Sequence, residues 1–144
     1  AMNDVMNVKG SPTAHTPGLP GADKLTALAS RYVDVDTLPW KPTPCAGIEM
    51  KVLVEDTATG LMTALFRWQP GAELTLHEHV ELEQTFVLEG SLADEEGEVT
   101  AGNYVWRPTG NRHAARSPNG ALVLSMFLKP NIFLTEDKDG VELR

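Results

Sequence analysis

The segment from Ile48 to Leu128 is cut at short intervals by turn signals, at Asp56 to Gly60, Pro70-Gly71, Glu89-Gly90, Glu96-Gly97, Ala101 to Asn103 and Pro118 to Gly120. Glycine, proline, aspartate and asparagine at such points favour the backbone angles of tight turns. What lies between them alternates with a period of two and carries almost no helical period. The candidate strands are Ile48 to Val54, Leu61 to Gln69, Glu73 to His79, Glu83 to Glu89, Tyr104 to Arg107, Arg112 to Arg116 and Ala121 to Leu128. Many short strands at regular spacing predict an all-β sandwich or barrel.

At 144 residues and 42% hydrophobic content, the chain is long enough for one domain with a proper core. We expect an N-terminal arm over 1–30 and a barrel domain over 31–144. Residues 1 to about 22 are rich in glycine, proline, serine and asparagine and read as a tail or an arm laid over a partner. Within the arm, Asp23 to Arg31 is expected to form a short helix with Leu25 and Leu28 on one face. Met2 is the expected native start. The net charge of −8, with no basic cluster, excludes nucleic acid and anionic membrane as partners. No apolar run reaches the eighteen or so residues of a membrane span, and the N-terminus lacks the layout of a secretory signal. The single Cys45 rules out an internal disulfide framework and fits a reducing, cytoplasmic setting; it is expected as a buried small residue.

Three of the four histidines fall in one region. His77 and His79 are two apart on a candidate strand, so they project from the same face. Glu83 opens the next strand after a tight turn. His113 follows the turn-rich run Pro108-Thr-Gly110-Asn-Arg, which can deliver a donor from across a barrel. Imidazole and carboxylate donors without thiolate suit Fe(II), Mn, Ni, Cu or Zn. Six-coordinate metal on four protein groups keeps two positions open, whereas tetrahedral zinc on the same four is closed. His15 has no suitable neighbours and reads as solvated.

The nine fixed residues Gly71, His77, His79, Glu83, Gly90, Gly102, Pro108, Gly110 and His113 follow a known spacing. Random placement gives it roughly once in a billion, so chance is set aside. The two runs that carry them resemble the paired motifs of the cupin superfamily, whose fold is a small jelly-roll barrel (a double-stranded β-helix) with a metal inside. The second motif departs at the position four after His113, where the usual asparagine is Ser117; that position is not a ligand. Thr37-Leu-Pro-Trp40 and Arg67-Trp-Gln-Pro-Gly71 are similar to the subgroup containing the ChrR-like cupin domains of anti-sigma factors and stand-alone dioxygenases of acetylacetone and aryl ketones. The resemblance implies His77, His79, Glu83 and His113 as ligands of one divalent transition metal, Fe(II) favoured and Zn, Ni, Mn or Cu compatible. It implies a non-haem dioxygenase cleaving a small β-diketone or aryl ketone, or alternatively a non-catalytic sensor cupin of the anti-sigma type. It also implies a homodimer acting on a small molecule. No general base can be assigned.

Other residues are open at this level. Arg67 or Arg107 could face the barrel as a fixed cation for an enolate oxygen. Phe66, Trp68, Tyr104, Trp106 and Met126 could line an apolar pocket. Trp40 is expected to anchor the arm. Asp94 to Glu98 is expected as a solvated hairpin tip. The strand from Glu83 carries apolar residues on both faces, so its outer face needs a cover: a second sheet, the arm or another subunit.

Overall fold

The computed structural model describes residues 13–134. Its strands are β1 (Ala14–His15), β2 (Lys41–Pro42), β3 (Ile48–Asp56), β4 (Met62–Trp68), β5 (Ala72–Glu78), β6 (Glu83–Ala93), β7 (Glu98–Thr100), β8 (Tyr104–Arg107), β9 (Arg112–Ser117), β10 (Ala121–Phe127) and β11 (Ile132–Phe133). Only two 3-10 turns, Ala22–Lys24 and Val35–Thr37, interrupt the all-β pattern among the described residues. Every strand expected from the sequence forms. The one beginning at Glu83 runs further than expected, to Ala93.

The main path of the sheet runs β1-β3-β4-β10-β6-β9-β5-β11, with β2 on β3 and both β7 and β8 on β6. All the pairings are antiparallel. The strand β6 belongs to both halves of the curled sheet: Glu83 to Gly90 pair with β10 and β8, while Ser91 to Ala93 pair with β7 and reach β9. The joint is Gly90, whose φ is +73° and where an added Cβ would lie 1.9 Å from the carbonyl oxygen of Gly120. Only glycine lets the two strands approach so closely while the backbone turns. The concave side is the core, filled by alternate residues of β3 (Ile48, Met50, Val52), β4 (Ala64, Phe66, Trp68) and β10 (Val123, Phe127). Each such large apolar side chain contributes about 1.5–3 kcal/mol by leaving water. Cys45 is buried with them, as expected.

The described part of the expected arm, from Thr13 on, lies on this chain's own sheet. Its strand β1 pairs with β3, and the Thr16 hydroxyl donates to the Leu53 carbonyl at 2.6 Å. Trp40 packs on the barrel strands: the Arg67 guanidinium lies 4.1 Å and the Lys51 ammonium 4.9 Å from the ring centroid. Lys51 is buried and donates to the Val35 carbonyl at 2.8 Å. The helix expected over Asp23 to Arg31 does not form; one 3-10 turn, Ala22–Lys24, stands in its place. The reason is that Leu25 and Leu28 stay exposed, so no buried face supports so short a helix, and no side chain caps its start. Residues 1–12 of the expected tail lie outside the described residues.

The outer face of β6 and β8 is left uncovered by the described residues. Phe86, Leu88, Tyr104 and Trp106 are 38%, 44%, 47% and 55% exposed there, so among the described residues neither a second sheet nor the arm supplies the expected cover. Trp106 and Tyr104 therefore do not line the interior, and Met126 alternates outward on β10.

Candidate metal centre

His77, His79 and His113 come together inside the barrel. One ring nitrogen from each lies within 4.8 Å of the others, and all three residues are buried. Each is placed by a different local device.

His77 is aimed by a β-bulge. The register of β5 on β9 jumps from Leu74–Ala115 to His77–His113, so β5 carries one extra residue there. Without the bulge, strict alternation after Leu74 would turn Leu76 inward. With it, Leu76 is 41% exposed and His77 is 1% exposed. The Nδ1–H of His77 points at the Thr75 carbonyl oxygen, 2.7 Å away, which leaves Nε2 as the free nitrogen. His79 lies just past the strand and is clamped by the loop that leads to His113. Its backbone N–H donates to the Asn111 carbonyl at 2.9 Å, and its carbonyl accepts from Gly110 at 2.7 Å. His113 stands on β9, opposite His77. The ring centroids of the three lie 4.5 to 5.0 Å apart.

Burial keeps the His77 and His113 rings neutral. Loss of water pushes the pKa of His77 down to about 3, with the neighbouring His113 and His79 adding to the effect. Burial likewise lowers that of His113, reinforced by the Arg107 guanidinium. A neutral imidazole offers a lone pair, which is the form a metal takes. His77 Nε2 and both nitrogens of His79 are buried with no hydrogen-bond partner. Orphaned buried nitrogens cost free energy unless something satisfies them, and three imidazoles facing one point fit a divalent cation.

Glu83 lies beside this group. Its Oε2 is 2.7 Å from His79 Nδ1, but off the hydrogen-bond direction, so that nitrogen counts as unpaired. Adjacent donors on a metal with bonds of about 2.1 Å sit about 3 Å apart, close to this separation. The other oxygen accepts from the Thr85 hydroxyl at 2.9 Å, and Thr85 in turn meets the Ser125 hydroxyl at 2.8 Å. Burial opposes charging Glu83, but His79 and Thr85 outweigh it, and its pKa falls below the usual carboxylate range.

His77 and His113, with Glu83, open onto a cavity of about 40 Å³, room for a few small groups. Phe66, Trp68, Leu74, Val123 and Phe127 make an apolar wall; Thr85, Ser125, Asn131 and Arg107 bring the polar groups. Trp68 Nε1 and Asn131 Oδ1 are buried without partners. Of the two arginines left open by the sequence, Arg107 faces this cavity. Arg67 faces outward, pairing with Glu49 at 3.0 Å in an exposed contact of little energetic weight.

Asp94 was missed. It is not a solvated hairpin tip but is 8% exposed, 2.9 Å from both His113 Nδ1 and Arg107 Nη1. The turn itself causes this: the N–H groups of Glu96 and Gly97 donate to Oδ1 and hold the side chain inward. The available signal was Arg107, a cation on an otherwise apolar strand that needed an anion. His15 stays apart from the centre, 3.3 Å from Glu55 on the exposed edge. Ser117 is fully buried, and its hydroxyl donates to the Ser91 carbonyl at 2.7 Å, tying β9 to β6.

No curated protein matches the sequence significantly. Solved structures with the same fold include a candidate acetylacetone dioxygenase from Methylibium petroleiphilum (25% identity, TM-score 0.71, 81% of this chain and 88% of that one). An acetylacetone dioxygenase from Acinetobacter johnsonii is similar at 22% identity and TM-score 0.70, covering 78% of this chain and 83% of that one. The anti-sigma factor ChrR of Rhodobacter sphaeroides, solved in complex with SigE, matches at 21% identity and TM-score 0.55, over 65% of this chain and 50% of that one. The sequence model of the ChrR cupin-like domain matches residues 28–131, which span the barrel and all three clustered histidines, and the chain belongs to that family.

Proposed function

We propose that this protein is a metal-dependent dioxygenase that cleaves a small β-diketone or aryl ketone. His77, His79 and His113 would hold the metal, with Glu83 as the carboxylate donor and Fe(II) as the favoured ion. The observation that carries the reading is that His77, whose Nε2 has no partner, lines an apolar cavity together with His113 and Glu83 instead of being sealed in packed side chains. A structural site needs no cavity; a catalytic one does. The resemblance to a candidate acetylacetone dioxygenase supports the substrate class.

A divalent metal there would supply Lewis acidity toward an enolate and a meeting point for dioxygen. The chain's own residues do the rest. The apolar wall excludes water, which strengthens every charge interaction inside. Arg107, buried and fixed by Asp94, presents positive charge where an enolate would carry negative. Trp68 Nε1 is a donor without a partner and suits a carbonyl oxygen. The small volume favours a ketone of a few carbons over a bulky substrate. We further propose that the uncovered face bearing Phe86 and Trp106 joins two copies of the chain, because the aromatic patch is large and no described segment of the chain covers it.

Family membership favours a second reading, a non-catalytic sensor that binds a metal or small molecule in the same cavity. One experiment separates them. Protein reconstituted anaerobically with Fe(II) is mixed with acetylacetone or a hydroxyaryl ketone, and oxygen uptake is followed. The dioxygenase reading expects one dioxygen consumed per ketone cleaved. Iron bound stoichiometrically without oxygen uptake with either class would overturn it in favour of the sensor.

A further inference from the structure

We infer that Asp94 is a positioning residue of the metal centre, fixing His113 in the tautomer that carries its proton on Nδ1 and so aiming the Nε2 lone pair at His77 and His79. The inference deepens the proposed metal site and rests on it.

The geometry assigns every acceptor position of the Asp94 carboxylate. Its Oδ1 accepts from the backbone N–H of Glu96 at 2.8 Å and of Gly97 at 3.1 Å. Its Oδ2 lies 2.9 Å from His113 Nδ1 and 2.9 Å from Arg107 Nη1. An ionised carboxylate only accepts, so the nitrogen facing it must carry the hydrogen. A neutral imidazole has one N–H, and the other nitrogen is then a bare lone pair. The opposite tautomer would set the Nδ1 lone pair against Oδ2, in a buried place where that repulsion is not screened.

The hairpin is built to hold this arrangement. The strand β6 ends at Ala93, and Asp94 opens the turn that returns as β7; the Asp94 N–H donates to the Gly97 carbonyl at 2.9 Å. The carboxylate is thus held by the turn it begins. Arg107 balances its charge and itself lines the cavity beside His113. His77 gets the same service from the Thr75 carbonyl. Two of the three imidazoles are therefore oriented through Nδ1. Partners of this kind typically change metal affinity 10–100-fold when removed.

The test uses metal-free protein labelled with 15N-histidine, in which long-range 1H–15N correlations read the tautomer of His113, and Co(II) titration of the same protein. In the wild type, His113 is expected as the Nδ1–H tautomer. In Asp94→Asn, where the amide can donate to Nδ1, the population moves toward Nε2–H and Co(II) affinity falls about 10–100-fold. Arg107→Met removes the ion pair but keeps the contact with His113, and its tautomer should remain that of the wild type. Equal weakening of Co(II) by both variants with no tautomer change would reduce Asp94 to an ion-pair partner and overturn the inference. A wild-type His113 protonated on Nε2 overturns it without any variant and leaves the metal reading standing. Wild-type protein that binds no Co(II) while His113 holds its proton on Nδ1 sinks the metal reading instead, and the positioning role with it.

Discussion

The metal-free protein should lose stability steeply in mild acid, and His77 should be the cause. Burial holds its pKa at about 3 in the fold, against an ordinary value of 6.5. As pH falls, the unfolded chain therefore takes up a proton that the folded chain refuses. The neutral ring's contribution is fully present above about 6.5 and is lost on the way down toward 3. Each pH unit in that window costs about 1.4 kcal/mol, so about 2 kcal/mol is gone by pH 5 and up to about 5 kcal/mol near pH 3. Domains of this kind are typically stable by only about 5–15 kcal/mol, so the loss is a large fraction of the total.

Several groups around His77 titrate too, and the window separates them. The pKa values of Glu83 and Asp94 lie below the usual carboxylate range, so they stay ionised between pH 7 and 5. The depressed pKa of His113 adds a loss of the same sign. The assay is urea unfolding in the presence of chelator, at pH 7 and pH 5, on the wild type and on His77→Gln. The variant keeps His113, so the difference between the two proteins isolates His77. The wild type should lose about 2 kcal/mol more than the variant over this interval. Equal losses in the two proteins would refute the argument, since His77 would then be titrating in the fold much as it does in the open chain.

Two further perturbations probe the frame of the site and its outer face. Gly90→Ala places a methyl 1.9 Å from the Gly120 carbonyl at a φ of +73°, and thermal unfolding should show a loss of about 3–5 kcal/mol; Gly102→Ala, at a φ of +84° with nothing within 4 Å, should cost only about 1 kcal/mol. Similar costs at the two positions would mean that the close approach of β6 to the turn before β10 is not what demands glycine. Trp106→Glu, on the uncovered face, should weaken self-association about thirtyfold in sedimentation equilibrium. A wild type that sediments as a monomer at micromolar concentration would remove the dimer altogether.

The fold was legible because it depends on local and repetitive features. Turn residues marked the ends of β3, β4 and β10, whereas Glu89-Gly90 proved to be a bend inside β6; and although Phe66 and Trp68 do face the interior, Tyr104, Trp106 and Met126, grouped with them, do not. The expected helix at Asp23 to Arg31 failed for the complementary reason. Its two leucines gave it an apolar face, but what decides a helix that short is whether the face meets a core, and Leu28 remains 60% exposed. The outer face of β6 shows the same limit. Alternation identified two apolar faces, yet nothing in it could say that one of them would meet no other part of the described chain.

The candidate site divides along the same line. His77, His79 and His113 announced themselves through spacing, but spacing alone would have misjudged how His77 points inward. Counting by twos from Leu74 reaches Leu76, and the bulge that reverses the count is visible only in the pairing of β5 with β9. Asp94 was harder still. It sits among the acids Glu95, Glu96 and Glu98 in a turn-rich segment, where a solvated tip is the ordinary outcome. What lifts it out is a partner thirteen residues or more away in each case, Arg107 and His113, each brought near by a strand that crosses back. A metal centre of this kind is thus written in two layers. The donors must be of fixed chemical type, so their spacing leaves a pattern in the sequence. The groups that aim those donors need only supply an oxygen at the right place, and a backbone carbonyl at Thr75 serves as well as a carboxylate at Asp94. Because either chemistry satisfies the ring, no residue type is required, and the second layer can be read only from the folded chain.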